Sequence, residues 1–442
     1  MDVFRLRNSV IHDYAEYVRS FVRIREARLR HFVEQSLADQ SLWPQPLIQM
    51  NPSFESGGWI DDLVNRRMLH PECQKIFRIK TDDDVVGEPM RLHRHQLDAI
   101  EAACSKANYV LTTGTSSGKS LAYLIPIVDQ VLRTGRGQGV QAIVVYPMNA
   151  LCNSQFGELG KFLCIGYGEG KQPVRFGRYT GQEDQEKRDQ IIQNPPDILL
   201  TNYVMLELLL TRPFERSLVN AARGLKFLVL DELHTYRGRQ GADVALLVRR
   251  VREACEAPDM LCVGTSATMA SGGTYAQQRG EIAKVASRLF GVEVKPDHVI
   301  GETLTRATPA VDFRDQQTLS QLRQNVTEDQ AVPTSYDAFV QSPMASWLES
   351  HFGLDREAGS DWLKRAQPRP IIGDCGAATA LSTLVGLAPD VCEAAIRRWL
   401  LAGYHCEVHP DTKAKPFACT NSSAAETRFS PPWRRTINGT CR

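Results

Sequence analysis

The chain has 442 residues, of which 43% are hydrophobic and 23% charged, and its formal net charge is +1 at pH 7. This length suits roughly two to four domains, and so small a net charge decides nothing about a nucleic-acid partner, because local patches matter more than totals. The 11 cysteines form no C-x-x-C pair, which argues against a zinc ribbon or a disulfide framework and predicts reduced thiols in a cytoplasmic protein. No signal-peptide core or membrane-spanning apolar run is present, so we expect no membrane partner.

The first part of the chain has a helical pattern. Apolar side chains recur at helical spacing over residues 1–45, and a second short helical stretch begins near Trp59. Proline-containing breaks at residues 43–53 separate the two stretches. We predict that residues 1–80 form a helical N-terminal accessory segment.

Between residues 81 and 305 the pattern changes to alternating strands and helices. Apolar runs begin at Tyr109, Ala142, Val174, Asp197, Phe227 and Leu261. Such runs are typical of buried parallel strands, so an α/β domain with a mainly parallel sheet and helices on both faces is predicted. Ligands of such domains bind at the carboxyl ends of the strands.

The remaining residues again show short helical patterns. Residues 306–418 are predicted to form a helical C-terminal segment, with a break near Gly386–Pro389. Residues 419–442 are rich in Ser, Thr, Ala and Pro without periodicity. That composition predicts a disordered tail or, if another reading frame supplies the natural continuation, a frameshifted one. Sequencing the downstream DNA separates these two hypotheses.

The eight residues 113–120 follow the first apolar run and precede a helical one. A glycine loop between a strand and a helix is typical of a phosphate-binding P-loop, whose backbone N–H groups face anionic oxygens. Thr113 departs from the motif, which has glycine there, and a Gly/Ser turn beside a surface lysine is the alternative. The predicted nucleotide-binding residues are Thr113, Gly114, Thr115, Ser116, Ser117, Gly118, Lys119 and Ser120. Lys119 would reach the β- and γ-phosphates, and Ser120 would hold Mg²⁺.

An acid pair, Asp231 and Glu232, follows the apolar run 227–230. This arrangement predicts a Walker B site, with Asp231 as the Mg²⁺ ligand and Glu232 as the group that activates the attacking water. The alternative is a carboxylate pair that caps a neighbouring helix. A P-loop upstream favours the catalytic interpretation, in which Lys119, Asp231 and Glu232 act together.

The order of these motifs, completed by Ser266-Ala267-Thr268, resembles superfamily 2 helicases of the DEAD/DEAH type. The resemblance implies a RecA-like P-loop fold, ATP and Mg²⁺ as cofactors, and coupling of the ATP site to strand separation through residues 266–268. It also implies that Gln96 recognises adenine. The residues matching the family's contacts with the nucleic-acid backbone are Pro147, Asn149, Gln155, Thr180, Gly181, Thr201 and Asn202.

Residues 231–245 are similar to the bacterial branch of this family that includes the MrfA and Hrq-type repair helicases, some relatives of which belong to phage-defence systems. This similarity implies that the partner is DNA, single-stranded or at a duplex junction, with RNA as the second choice. Arg237 and Arg239 would contact nucleic acid or lie in a solvated loop.

Family members have a second RecA-like lobe with an arginine finger, and we find no second strand–helix alternation after residue 305. The resemblance therefore implies that residues 306–418 are a helical connector toward a missing second lobe. The sequence therefore predicts an N-terminal fragment with the first motor lobe, which alone binds ATP–Mg²⁺ weakly and hydrolyses it poorly. The alternatives are a nucleotide-gated nucleic-acid-binding or assembly module without strand separation, and an inactive truncated product.

Overall fold

The computed structural model describes residues 2–21, 24–38, 46–81, 83–114, 117–168, 170–266, 274–327, 332–357 and 362–406. They divide into two compact units: residues 54–303, and residues before 54 together with those after 303. The predicted boundary at residue 80 differs from this division, because Ile60, Leu63 and Phe77 are buried in a core of the first unit. The predicted tail, residues 419–442, lies outside the described residues.

Residues 54–303 contain a seven-stranded sheet in which every described pairing is parallel. Its strands are β1 (Tyr109–Leu111), β2 (Ala142–Tyr146), β3 (Phe176–Tyr179), β4 (Ile198–Asn202), β5 (Phe227–Leu230), β6 (Leu261–Thr265) and β7 (Val299–Ile300). The spatial order is β7-β1-β6-β5-β2-β4-β3. The predicted parallel α/β architecture is confirmed, although β3 begins two residues later than predicted and the two-residue β7 was not predicted.

Helices cover both faces of this sheet. They are α1 (Arg94–Cys104), α2 (Lys119–Thr134), α3 (Asn149–Leu163), α4 (Gln185–Gln193), α5 (Tyr203–Thr211), α6 (Arg216–Ala221), α7 (Gly238–Ala254) and α8 (Tyr275–Phe290). Alternate strand residues enter two different cores: Val144 belongs to one, and Ile143 and Val145 belong to the other. Burial on both faces explains why these strands are continuously apolar in sequence.

Helix α2, which follows the P-loop, contains a proline in its interior. Pro126 has no N–H, so the carbonyl of Ala122, four residues earlier, lacks its helical donor. The hydroxyl of Tyr109 on β1 donates to that carbonyl at 3.0 Å, and both Tyr109 and Ala122 are fully buried. A side chain of the sheet therefore replaces the missing helical hydrogen bond.

Shorter elements precede α1 in the same unit. The strand Ser56–Trp59 pairs with Arg91–His93, and Arg78–Ile79 pairs with Glu88–Pro89, both antiparallel. The short helices Ile60–Asn65 and Cys73–Ile76 lie between these strands in sequence.

The second unit is mainly helical and has its own core. Its helices are Val3–Phe21, Ala27–Ala38, Gln316–Thr327, Tyr336–Val340, Pro343–Leu348, the π-helical turn Glu349–Gly353, Ala377–Val385 and Pro389–His405. The predicted helical segments are confirmed. The antiparallel pairs Leu47–Ile48 with Arg369–Pro370 and Leu354–Arg356 with Leu363–Arg365 were not predicted. Among the described residues, no single helix has the length and hydropathy needed to cross a membrane, and Ala377–Val385 and Pro389–His405 meet both conditions only as a pair bent by 112°.

Candidate functional site

In the described part of the P-loop, two hydroxyl groups contact each other across the turn and a glycine adopts a left-handed backbone conformation. Thr113 and Ser117 are buried, and their hydroxyl oxygens lie 2.6 Å apart. Thr113 has no positive φ, so this position does not require the glycine of the motif. Gly118 has φ 69°, and a Cβ there would lie 2.6 Å from the Gln96 side chain. The predicted residues Thr115 and Ser116 lie outside the described residues.

Helix α1 supports the loop through two neighbouring side chains. Gln96 accepts from the His93 N–H at 2.8 Å and donates to the Gly118 carbonyl at 3.0 Å. His95 Nε2 lies 2.9 Å from the Ser117 carbonyl, and burial lowers the His95 pKa to about 4, so the neutral ring donates this bond. Gln96 is only 3% exposed. Its described contacts position the loop, and adenine recognition by Gln96 stays a prediction.

Lys119 and Glu232 meet where β1 and β5 end. Lys119 Nζ lies 3.3 Å from Glu232 Oε1, with side-chain exposures of 12% and 22%. Glu232 adopts a left-handed backbone, φ 53° and ψ 55°, which costs a residue with a Cβ roughly 1–2 kcal/mol. The structure thus brings together the lysine and the carboxylate that the sequence assigns to phosphate binding and water activation.

Thr265, the last residue of β6, links the two acids. Its hydroxyl donates to Asp231 Oδ1 and accepts the Glu232 N–H at 3.0 Å. Burial raises the Asp231 pKa, an effect that the Thr265 hydrogen bond opposes. The prediction begins at Ser266 and misses Thr265, whose only sequence signal is a hydroxyl residue at a strand end.

Ser120 and Asp231 both interact with the buried Tyr123. Burial and the charge of Asp231 raise the pKa of the Tyr123 hydroxyl, and the hydroxyls of Tyr146 and Ser120 oppose this effect. A hydroxyl and a carboxylate fit Mg²⁺, which keeps several waters and takes one or two protein ligands. In the described part of the chain, no three His, Cys, Asp or Glu side chains group as a metal site.

Ser266 is close to the acid pair through His234. Ser266 Oγ lies 3.4 Å from His234 Nδ1, which lies 3.1 Å from Glu232 Oε2. A continuous chain of polar contacts therefore joins Glu232 to the predicted coupling motif. Its other members, Ala267 and Thr268, lie outside the described residues.

The predicted nucleic-acid residues lie at or just after the ends of β2, β4 and β3, which are adjacent in the sheet, except Gln155, which lies within α3. The Asn202 side chain donates to Asn149 Oδ1 at 2.7 Å and to the Thr180 carbonyl at 3.1 Å. Pro147 and Gln155 are both partly exposed, and Gln155 has a buried Oε1 without a partner among the described residues. This half of the sheet edge is separate from the P-loop half on β1, β6 and β5.

Three of these residues have internal partners, and their predicted roles require correction. Thr201 is fully buried and its hydroxyl donates to the Tyr179 carbonyl at 2.6 Å, so in this structure it cannot contact a bound strand. The N–H groups of Thr180 and Gly181 donate to Glu183 Oε2 at 2.7 and 3.1 Å. An internal carboxylate therefore binds the N–H groups of two residues that were expected to contact the nucleic-acid backbone.

Glu183 also holds Arg178, which the sequence prediction missed. Arg178 Nε donates to Glu183 Oε1 at 2.7 Å, and Nη1 donates to Asn153 Oδ1 at 2.7 Å. The guanidinium lies 5.6 Å from the centre of the Phe156 ring, and the side chain remains 30% exposed. A fixed, accessible cation suits phosphate contact better than the buried Thr201 hydroxyl does.

The backbone joins the two halves of the sheet edge. The Asp231 N–H donates to the Val145 carbonyl at 2.9 Å, across the β5–β2 pairing. Residues 93–274, which contain nearly all of these features, match the family model for DEAD/DEAH box helicase. This part of the chain is a DEAD/DEAH box helicase domain.

Relatives of the helicase domain are known from several organisms. The chain is 25% identical over 405 residues to Druantia protein DruE of Escherichia coli (strain UMEA 4076-1), covering 64% of this chain and 22% of that protein. It is 33% identical over 172 residues to ATP-dependent helicase hrq1 of Schizosaccharomyces pombe, covering 38% and 15%. The chain thus spans about a fifth of these relatives.

A solved structure of DUF1998 helicase MrfA bound to DNA is similar with a TM-score of 0.44 and 20% identity, covering 66% of this chain and 38% of that one. The prediction of a superfamily 2 helicase similar to the MrfA and Hrq-type branch is confirmed by the family match and the named relatives.

Proposed function

We propose that the chain is the first motor lobe of an ATP-dependent DNA helicase or translocase. The observation that supports this most directly is the contact between Lys119, at the start of α2, and Glu232, which follows β5, with Nζ and Oε1 3.3 Å apart. In the proposed reaction Lys119 exchanges Glu232 for the nucleotide phosphates. Glu232 is then free to orient the attacking water, while Asp231 and Ser120 would hold Mg²⁺. Mg²⁺, when bound, neutralises charge on the phosphates.

The proposed DNA contacts are Asn149, Asn202, Gln155 and the fixed cation Arg178. Amide side chains and an arginine bind a sugar–phosphate backbone without reading bases, as a translocating motor requires. The choice of DNA over RNA rests on the resemblance of residues 231–245 to repair helicases. A role in repair or phage defence follows the same resemblance, and a cytoplasmic location follows from the cysteine pattern; both belong to the proposal.

The chain by itself is proposed to turn ATP over slowly. The family resemblance implies that an arginine finger from a second lobe completes the site, and such a finger raises the rate by roughly three to five orders of magnitude. The site described above supplies a lysine, two carboxylates and hydroxyls from one lobe. ATP binding and slow hydrolysis are therefore the activities expected of this polypeptide.

The proposal is tested by titrating ATP–Mg²⁺ and single-stranded DNA against the wild type, Lys119→Ala and Glu232→Gln. We expect Lys119→Ala to weaken ATP binding by about tenfold or more, because a charged hydrogen-bond donor to phosphate is lost. Glu232→Gln should retain ATP binding and lose the residual hydrolysis. Equal ATP affinity of the wild type and Lys119→Ala would remove Lys119 from the site.

Further measurements distinguish DNA from RNA as the partner, and a helicase motor from a nucleotide-gated binding module. DNA binding that weakens in Arg178→Ala, with RNA bound less tightly, supports the proposal. Rapid nucleic-acid-stimulated hydrolysis by this chain alone would contradict the proposed need for a second lobe. ATP-controlled DNA binding by a longer form that never displaces a strand would instead indicate a nucleotide-gated binding module.

A further inference from the structure

A carboxylate of the helicase domain's own unit lies on the P-loop. The Gly114 N–H donates to Glu302 Oε1, although the two residues are 188 positions apart in sequence. Glu302 follows β7, which pairs with β1, the strand that leads into the loop. No sequence motif predicted this contact, because it depends on the unpredicted strand β7.

The backbone around Glu302 is fixed on both sides. Before it, the Thr112 N–H donates to the Ile300 carbonyl at 2.8 Å, so the segments that follow β1 and β7 leave the sheet side by side. A Cβ on Gly301 would lie 2.3 Å from the Tyr275 hydroxyl, which shows how closely this segment packs. After it, the Thr303 carbonyl accepts the Glu55 N–H at 2.9 Å. The location of the carboxylate follows from the sheet and its neighbours.

A carboxylate in this place has the chemistry of the ligand that the loop is built to bind. P-loop amides attract anionic oxygens, and the Glu302 carboxylate supplies one. The positive charge of Lys119 is directed to another partner, Glu232, at 3.3 Å. An incoming triphosphate therefore meets a like charge at the loop, and like charges at short range repel strongly in a partly buried site.

We propose that Glu302 is an internal anion that competes with the triphosphate for the Gly114 N–H of the P-loop and must be displaced by it, so that Glu302 weakens the affinity for nucleotide. This inference rests on the proposed binding of ATP at residues 113–120. It differs from a merely structural contact in the sign of its effect, because removal of a competing charge strengthens nucleotide binding whereas loss of a structural support weakens it.

The test measures the dissociation constants of ATP–Mg²⁺ and ADP–Mg²⁺ for the wild type, Glu302→Gln and Glu302→Ala. The matched control is Glu293→Gln, which removes an exposed carboxylate of the same unit. Thermal unfolding confirms that each variant is folded. We expect Glu302→Gln to bind ATP about tenfold more tightly, with a smaller gain for ADP, which carries less charge, and no change in the control.

The outcomes separate this inference from the function on which it rests. Unchanged or weaker ATP binding by both folded Glu302 variants, beside Lys119-dependent binding by the wild type, overturns the inference alone. An equal gain in Glu293→Gln also overturns it, because the effect would then come from overall charge. No ATP binding by the folded wild type or by any variant overturns both the inference and the proposed ATP site.

Discussion

At the scale of single residues, one hydroxyl organises the catalytic acids. Thr265 donates to the Asp231 carboxylate and accepts the Glu232 N–H, so it fixes a carboxylate and a left-handed backbone together. A residue held in this strained region persists only where its surroundings determine it. Thr265 is therefore a positioning residue for both acids.

The substitution Thr265→Val keeps the shape of the side chain and removes both hydrogen bonds. We expect it to lower the free energy of unfolding by about 1–3 kcal/mol, because buried polar groups lose their partner. The raised pKa of Asp231 should rise further, so the affinity for Mg²⁺ in the presence of ATP should be lost at a higher pH than in the wild type as the pH is lowered.

Urea unfolding and Mg²⁺ titrations at a series of decreasing pH values measure these effects. Thr265→Ser is the matched control, since it keeps the hydroxyl and should behave nearly as the wild type does. Equal behaviour of the valine and serine variants would contradict the positioning role of Thr265.

At the scale of elements, the helix that follows the P-loop depends on the strand that precedes it. Pro126 leaves the Ala122 carbonyl without a helical donor, and Tyr109 on β1 supplies one. The strand and the helix are thus joined by a buried hydrogen bond as well as by packing. Because the loop lies between them, this bond also fixes the distance that the loop spans.

A double-mutant cycle tests this dependence. Tyr109→Phe should lower the free energy of unfolding by about 1–3 kcal/mol, because it leaves the buried Ala122 carbonyl unpaired. In a Pro126→Ala background the restored N–H serves that carbonyl, so the same substitution should cost clearly less. An equal cost of Tyr109→Phe in both backgrounds, measured by urea unfolding, would show that the hydroxyl has no special relation to the proline.

At the scale of the whole molecule, each unit has a core of its own. The two cores on the faces of the large sheet are built from residues between Ile60 and Ile300. The third core combines Met50 with residues between Leu322 and Cys406. Separate cores are the usual basis of separate cooperative units.

We therefore expect two transitions when the chain is heated in a calorimeter. ATP–Mg²⁺ should raise the midpoint temperature of the transition of residues 54–303 and leave that of the other unit unchanged, because a ligand stabilises the unit that binds it. Lys119→Ala should reduce the shift without removing either transition. A single transition that moves as a whole with ATP would show that the two units unfold together.

The sequence predicted most of the sheet because both faces of its strands are buried, which produces continuous apolar runs. It missed β7 because two residues, Val299 and Ile300, form too short a pattern to recognise. Because that strand was not predicted, the contact of Glu302 with the P-loop was not predicted either.

Motifs also predicted the residue types of the site better than their contacts. Lys119, Asp231 and Glu232 lie together as expected, because parallel strands end at one edge of the sheet. The partner of Thr201, the Tyr179 carbonyl, depends on the pairing of β4 with β3. The partner of the Thr180 and Gly181 N–H groups is Glu183, only three and two residues further along the chain. Those partners leave no periodic signal in the sequence.

The hydrogen bond from the Asp231 N–H to the Val145 carbonyl limits which changes of sequence the domain can tolerate. A slip of β5 against β2 by one residue would misplace the acid pair relative to phosphate and, in the same movement, Pro147 and Asn149 relative to a bound strand. Both ligands thus depend on one alignment. Insertions or deletions inside these two strands should be far less tolerated in functional variants than changes of the same size in the loops that connect them.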